Sequence, residues 1–322
     1  MNVRLRTCLL AAACSLFFAA SSHAGDKKDR DIFDFEGQKA AQGVKRIVFI
    51  ADTAPHGARG NHEFVAASVF LARAINAHDP KAWAVVTTMQ TMQKKPRDLK
   101  HADAIVVLMN NANPAAGSKE IAEAIDKGAG FMAIHYGVEV SKGKQGDNFL
   151  KWMGGYFEAN WSVNPWWTPE FKDIPKHETT RGVKPFSIND EWYYHMRFVD
   201  GMKGVTPVLT SLPPLKTIQG EGKKTSSHGG NPDVWAAVSA GKPQAVAWAY
   251  ERPDGGRGFG FTGLHKHTNL AEDSVRTLLT NGVAWVAKIP VPEPGILTAP
   301  LSRDDLEALI DDGKLAVKNR GI

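Results

Sequence analysis

Four short apolar runs constrain this chain more than any other feature. Arg46-Ile-Val-Phe-Ile-Ala51, Ala84-Val-Val-Thr-Thr88, Ala104-Ile-Val-Val-Leu-Met109 and Gly130-Phe-Met-Ala-Ile134 each have the length of a strand. They are continuously apolar rather than alternating, as expected where both faces of a sheet are covered. Helical patterns lie between them. One runs from His62 to Ala77, with Phe64, Ser68, Leu71 and Ile75 on one face. Another runs from Ser118 to Lys127 and is closed by Gly128. Strands alternating with helices predict an α/β protein with a doubly wound, mostly parallel sheet and right-handed crossovers. From 138 to 235 the pattern loosens into a Pro-rich, aromatic-rich stretch, read as long insertions covering one edge of the sheet. Order returns with Gln244–Tyr250 and Arg257–Thr262, two strands of a hairpin turning at Pro253-Asp-Gly-Gly256. A helix from Glu272 to Ala287 follows, with Val275, Leu278, Leu279, Gly282 and Val286 on its apolar face.

The ends of the chain read differently. Arg4 and Arg6 precede an apolar stretch, Cys8 to Ala20, that finishes in Ser22-His23-Ala24. Basic start, apolar core and small-x-small end predict a signal peptide over 1–24, and so a periplasmic or secreted protein. That core falls short of the roughly 20 residues that span a bilayer, so no membrane insertion is expected after cleavage. Residues 25–44 read as a polar arm and 45–289 as the main domain. Residues 290–322 read as a linker, stiffened by Pro290, Pro292 and Pro294, and a short helix from Arg303 to Asp311, capped by Ser302 and stopped at Gly313. Both cysteines, Cys8 and Cys14, leave with the signal peptide. The mature chain then has no disulfide and no thiol nucleophile, and rests on its core alone. Loss of Arg4 and Arg6 takes the net charge from +5 to +3, with no dense basic run, which argues against nucleic acid as a partner. Nine tryptophans suit a pocket for a small sugar, although Trp248 and Trp285 fall in core patterns. Self-association into a homo-oligomer is left open.

In open α/β sheets ligands sit beyond the carboxyl ends of the strands. Three loops leave such ends here, and each carries histidine: His56 and His62 with Glu63, then His135 with Glu139, then His265 and His267 with Asn269. The segment Asp190-Glu-Trp-Tyr-Tyr-His-Met-Arg-Phe198, read as one strand, puts Glu191, Tyr193, His195 and Arg197 on one face, a plausible pocket wall. His56, His62, His265 and His267 are candidate ligands for a divalent metal such as zinc, completed by Glu139 or Glu63. On an extended segment His265 and His267 point the same way. The alternative is that these histidines bind sugar hydroxyls or act as acid and base near neutral pH.

Several stretches resemble the ThuA-like (trehalose-utilisation) family, a branch of the class I glutamine amidotransferase-like, flavodoxin-like fold. They are Arg46–Ala51 with His56 and His62-Glu63, Ala133–Val140, Gly154–Phe157 with Trp161–Pro165, Thr180–Phe186, the Asp190–Phe198 block and Ala247–Gly263. The resemblance implies that the turn after the fourth strand, where amidotransferases of this fold keep a cysteine nucleophile, carries His135 instead. Thioester chemistry, and glutaminase activity with it, is excluded on residue identity. Where relatives usually show Gly-Gly-His-x-His-x-Asn-Trp, this chain reads Gly263-Leu264-His265-Lys266-His267-Thr268-Asn269-Leu270. The family's association with disaccharides, including 3-keto sugars, implies a hydrolase or lyase working by acid–base or metal-assisted chemistry. On that reading His135, Glu191, His195 and Glu139 are the catalytic candidates. Trp161, Asn164, Trp166, Tyr193, Arg197, Arg257 and Asn269 are the candidates for holding the sugar. The rival is a non-catalytic sugar-binding module, which needs the tryptophans but no titrating pair.

Overall fold

The computed structural model describes residues 31–33, 43–54, 56–94, 99–223, 225–227 and 229–320. The predicted signal peptide, 1–24, and most of the predicted polar arm lie outside the described residues. From Ile32 onward the chain forms one compact unit. Its centre is a seven-stranded sheet built from β1 (Lys45–Ala51), β2 (Ala82–Thr87), β3 (Ala104–Leu108), β4 (Gly130–Ile134), β5 (Val205–Ser211), β6 (Gln244–Glu251) and β7 (Arg257–Phe261). The spatial order is β5-β6-β7-β4-β3-β1-β2. The neighbours from β2 through to β7 pair in parallel, and β6 runs antiparallel to both β5 and β7. The sheet is therefore mostly parallel, with its switch point between β1 and β3, as in flavodoxin-like folds.

Period-two alternation gives each face its own core. Ile47, Phe49 and Ala51 of β1 point into one apolar cluster, while Val48 and Ile50 point into the other. On the first face pack α1 (Phe64–His78), α4 (Asp273–Val286) and α5 (Arg303–Arg320); on the second pack α2 (Lys119–Asp126) and α3 (Lys144–Met153). The predicted inner faces of α1 and α4 are buried. The sheet passes so close to the end of α4 that a Cβ on Gly130 would lie 2.0 Å from the Val286 carbonyl oxygen, so only glycine fits there. Among the described residues no helix is long and apolar enough to cross a membrane.

Three expectations need correction. The stretch from 138 to 235 is more ordered than its sequence suggests: it contains α3 and the edge strand β5, and a helix at Pro232–Ser239 begins near its end. The block from Asp190 to Phe198 is not one strand. It pairs Asp190–Glu191 with Trp166–Trp167 and Arg197–Phe198 with Gly155–Tyr156. Between the two pairs His195 adopts φ 58°, which swings the chain out of any single face. The last helix does not stop at Gly313; it continues to Arg320, because Gly313 packs against Ala66 of α1, where a side chain would crowd the backbone.

Candidate functional site

The loops after β1, β4 and β7 converge, as the strand order requires. They bring His62, His135 and His265 together with Glu191, and one potential ligand atom from each lies within 4.8 Å of all the others. The Nε2 atoms of His62 and His135 are 3.0 Å apart. Glu191 Oε2 accepts from His265 Nδ1 at 2.9 Å and lies 3.6 Å from His135 Nε2. His62 and His135 are buried; Glu191 and His265 are partly open to solvent. The backbone holds strain here. His62, His135 and Leu264 have φ of 51°, 52° and 80°, a region that costs a non-glycine residue about 1 kcal/mol or more. At Leu264 the buried Asp190 carboxylate keeps the turn by accepting the Leu264 N–H at 2.6 Å and the Lys266 N–H at 3.3 Å. Burial pushes the Asp190 carboxyl up, against the pull of these N–H groups and the Asn269 amide.

Counting protons shows what the cluster lacks. His62 Nδ1 lies 2.6 Å from the His56 carbonyl oxygen, and His135 Nδ1 lies 2.9 Å from the Thr262 carbonyl oxygen. A carbonyl only accepts, so both Nδ1 atoms carry the proton and both Nε2 atoms are left with bare lone pairs facing each other. Protonating either ring is opposed: burial lowers His62 to about 4 and takes His135 well below its ordinary value, helped by the neighbouring rings. The Tyr193 hydroxyl has a single proton for His135 Nε2 at 3.2 Å and Glu191 Oε2 at 3.4 Å. Burial, with the Glu191 charge, keeps this phenol protonated far above its ordinary range. Imidazoles whose far nitrogens are fixed by backbone carbonyls, beside a carboxylate, form the donor set of a site for zinc or a similar divalent ion. The set fits such an ion, because a cation is what would satisfy two opposed lone pairs and a carboxylate.

Around the centre, Asn164 Nδ2 donates to Glu191 Oε1 at 3.2 Å. A cleft of about 560 Å³ opens beside Glu191, lined also by Asn164, Pro165, Trp166, Lys216, Thr217 and Gln219. That volume lies in the range usual for small-molecule sites. Trp166 is 47% exposed and meets the His265 ring edge-on. Glu139 accepts a long bond from Asn111, while burial, and then the charge of Glu191, pushes its carboxyl up. Lys216, Gln219, Asn111 and Asp190 were missed by the sequence reading. Only Asp190, adjacent to Glu191, had a local signal.

Other predicted residues fall elsewhere. His267 starts a 3-10 turn instead of continuing an extended segment; its buried ring faces the Leu306 backbone of α5 and does not join His265 in the cluster. His56 contributes its carbonyl, while its exposed ring stacks edge-on to His62 without joining the ligand set. Beyond the turn at His195 lies a separate group. Arg197 pairs through Nε and Nη2 with Glu158 at 2.8 and 3.1 Å and lies 3.4 Å over the Trp161 ring, against which His195 also packs. Arg257 sits at the opposite, amino end of β7, over Trp285 and beside Glu178. Asn269 is buried and donates to the Asn189 carbonyl, shaping the loop rather than lining the cleft.

With this geometry in view, the sequence profile of the ThuA family, described as trehalose utilisation, matches residues 53–286. The chain belongs to the ThuA family. Its family function is therefore carbohydrate-related. A crystal structure of a ThuA-like protein from Bacteroides uniformis superposes with a TM-score of 0.51 at 17% identity, covering 78% of this chain and 94% of that one. At that identity the likeness speaks for the fold. No curated protein matches.

Proposed function

We propose that this ThuA-family protein is an exported enzyme that cleaves a disaccharide or glycoside derivative, such as a 3-keto sugar, at a centre that binds a divalent metal. The observation that carries the reading is the pair of opposed Nε2 lone pairs of His62 and His135, 3.0 Å apart beside Glu191. His62, His135, His265 and Glu191 would hold the ion. When bound, zinc supplies Lewis-acid polarisation of a substrate oxygen. Glu139 is the general acid–base: burial, and then the charge of Glu191, pushes its carboxyl up, which favours its giving a proton to a leaving glycosidic oxygen and taking one back. Tyr193 Oη, kept protonated beside Glu191 and His135, can donate a hydrogen bond to a developing oxyanion. Trp166 offers an apolar face for a sugar ring, and Asn164, Lys216 and Gln219 offer hydroxyl partners in the same cleft. Hydrolysis and elimination beside a keto group are both open to these groups, and a cysteine nucleophile takes no part in either.

The test is turnover of a 3-keto-disaccharide by protein whose metal content has been measured. Chelation should abolish it. Glu139→Gln should lower kcat by about 100-fold or more while leaving zinc affinity intact. Sugar affinity without turnover would make the protein a binding module. Turnover indifferent to both chelation and Glu139→Gln would remove the assignment.

A further inference from the structure

The helix α5 lies beyond the stretch matched by the family, 53–286, yet it touches the loops that carry the histidines. Arg59, three residues before His62, donates from Nε to Glu307 at 2.8 Å and from Nη2 to Asp311 at 2.9 Å, both on α5. From Arg59 the connection to the ligands is short. Asn61 bridges Lys266, the His62 N–H donates to the His265 carbonyl at 2.9 Å, and the His267 N–H donates to the Gly60 carbonyl at 2.8 Å. The same helix closes over the His267 ring, and it buries Leu306, Leu309 and Ile310 against the first face of the fold. The loops after β1 and β7 are therefore tied to each other and, through Arg59, to α5. His62 and Leu264 hold left-handed backbone in these loops, a conformation that persists only where the surroundings enforce it.

We propose that α5 is a brace for the metal centre, and that Arg59 with Glu307 and Asp311 are positioning residues that hold His62 and His265 in ligand geometry. The inference rests on the metal reading above for its consequence, but the brace itself can be tested without any metal. A second ion pair, Arg73 to Asp312 at 2.9 Å, also anchors α5, but to α1 rather than to a histidine loop. It provides the control.

Arg59→Ala should speed amide hydrogen exchange in peptides covering 56–62 and 264–267 by about fivefold, the scale of one exposed ion-pair network. It should weaken zinc binding by about the same factor, read by chelator competition. Arg73→Ala should lower the melting temperature comparably and leave both readouts unchanged. The swap of Arg59→Glu with Glu307→Arg and Asp311→Arg should restore exchange to the wild-type rate. The brace is refuted if Arg59→Ala leaves exchange in these loops at the wild-type rate, or if Arg73→Ala accelerates it equally. Wild-type protein that binds no zinc would defeat the metal reading alone, because the exchange comparison still decides the brace.

Discussion

The segment Asp190–Phe198 feeds two polar groups that differ in one respect. At its start, Glu191 and Tyr193 join His62, His135 and His265, where lone pairs outnumber protons. At its end, Arg197 meets Glu158 in a two-toothed pair over Trp161, with Tyr156 donating to the same carboxylate at 2.9 Å and Lys142 at 3.4 Å. The second group is complete in itself. Burial pushes the Glu158 carboxyl up, but the bonds from Arg197 and Tyr156 outweigh it and leave the carboxyl lowered. The first is incomplete, since burial opposes protonation of both facing imidazoles without providing a substitute charge. Buried polar atoms that satisfy one another point to structure; those left in deficit point to a ligand.

The largest effect should follow from removing a ligand of the first group. His265→Ala leaves a side chain that is only partly buried and so spares the core. It should weaken zinc binding by roughly 100- to 1000-fold, a quarter share of the free energy of a four-ligand site. Competition with a chelator of known affinity measures this. A change below about threefold would mean that the deficit is not filled by a metal, and the contrast between the two groups would lose its functional meaning.

A second effect tests burial without ligation. His267 lies in neither group, and burial lowers it to about 4. Its nitrogens have no hydrogen-bond partner at normal distance; the ring faces the Leu306 backbone, a contact that only partly offsets the burial. Because the folded value is depressed, the neutral ring contributes stability above the unfolded value near 6.5, and that contribution is lost as pH falls from 6.5 towards 4. The shift corresponds to about 3 kcal/mol at most. His267→Leu should flatten the slope of unfolding free energy across that window, measured by urea titration of the metal-free protein. An unchanged slope would move the titration to another group.

The sheet was legible because strands covered on both faces must be continuously apolar, and Ile47–Ala51, Ala104–Leu108 and Gly130–Ile134 are. The three histidine loops were legible because strand direction places their ends together. Which side chains meet was less so. Assigning His195 and Arg197 to the wall failed at one residue, since nothing in the sequence marks a left-handed turn at a histidine with no glycine beside it. Pairing His267 with His265 failed because a 3-10 turn replaces the extended backbone that period-two reasoning assumes. His135 and Glu191 were placed at the site but read as acid–base groups. Only the carbonyl partners of Nδ1, supplied by distant residues such as Thr262, show that Nε2 is free for a ligand. Lys216 and Gln219 reach the cleft from a loop whose path has no local code.

The smallest effect separates the two groups most sharply. Arg197→Met removes the guanidinium but keeps an apolar stem over Trp161. Arg197 is 32% exposed on its side chain, and Lys142 lies near Glu158, so the cost should be about 1–2 kcal/mol rather than that of a fully buried broken pair. Because the native pair holds the Glu158 carboxyl low, its contribution is present above the unfolded carboxyl value and disappears as pH falls through the folded one. Destabilisation by Arg197→Met should thus be seen at pH 7 and shrink at strongly acidic pH. Adding Glu158→Gln should recover part of the loss, since no unpaired charge then remains. Zinc affinity should stay within twofold of wild type. If Arg197→Met instead weakened zinc binding as His265→Ala does, the two groups would be one site, and the single polar face expected from Asp190–Phe198 would have to be restored in a metal-bound form of the protein.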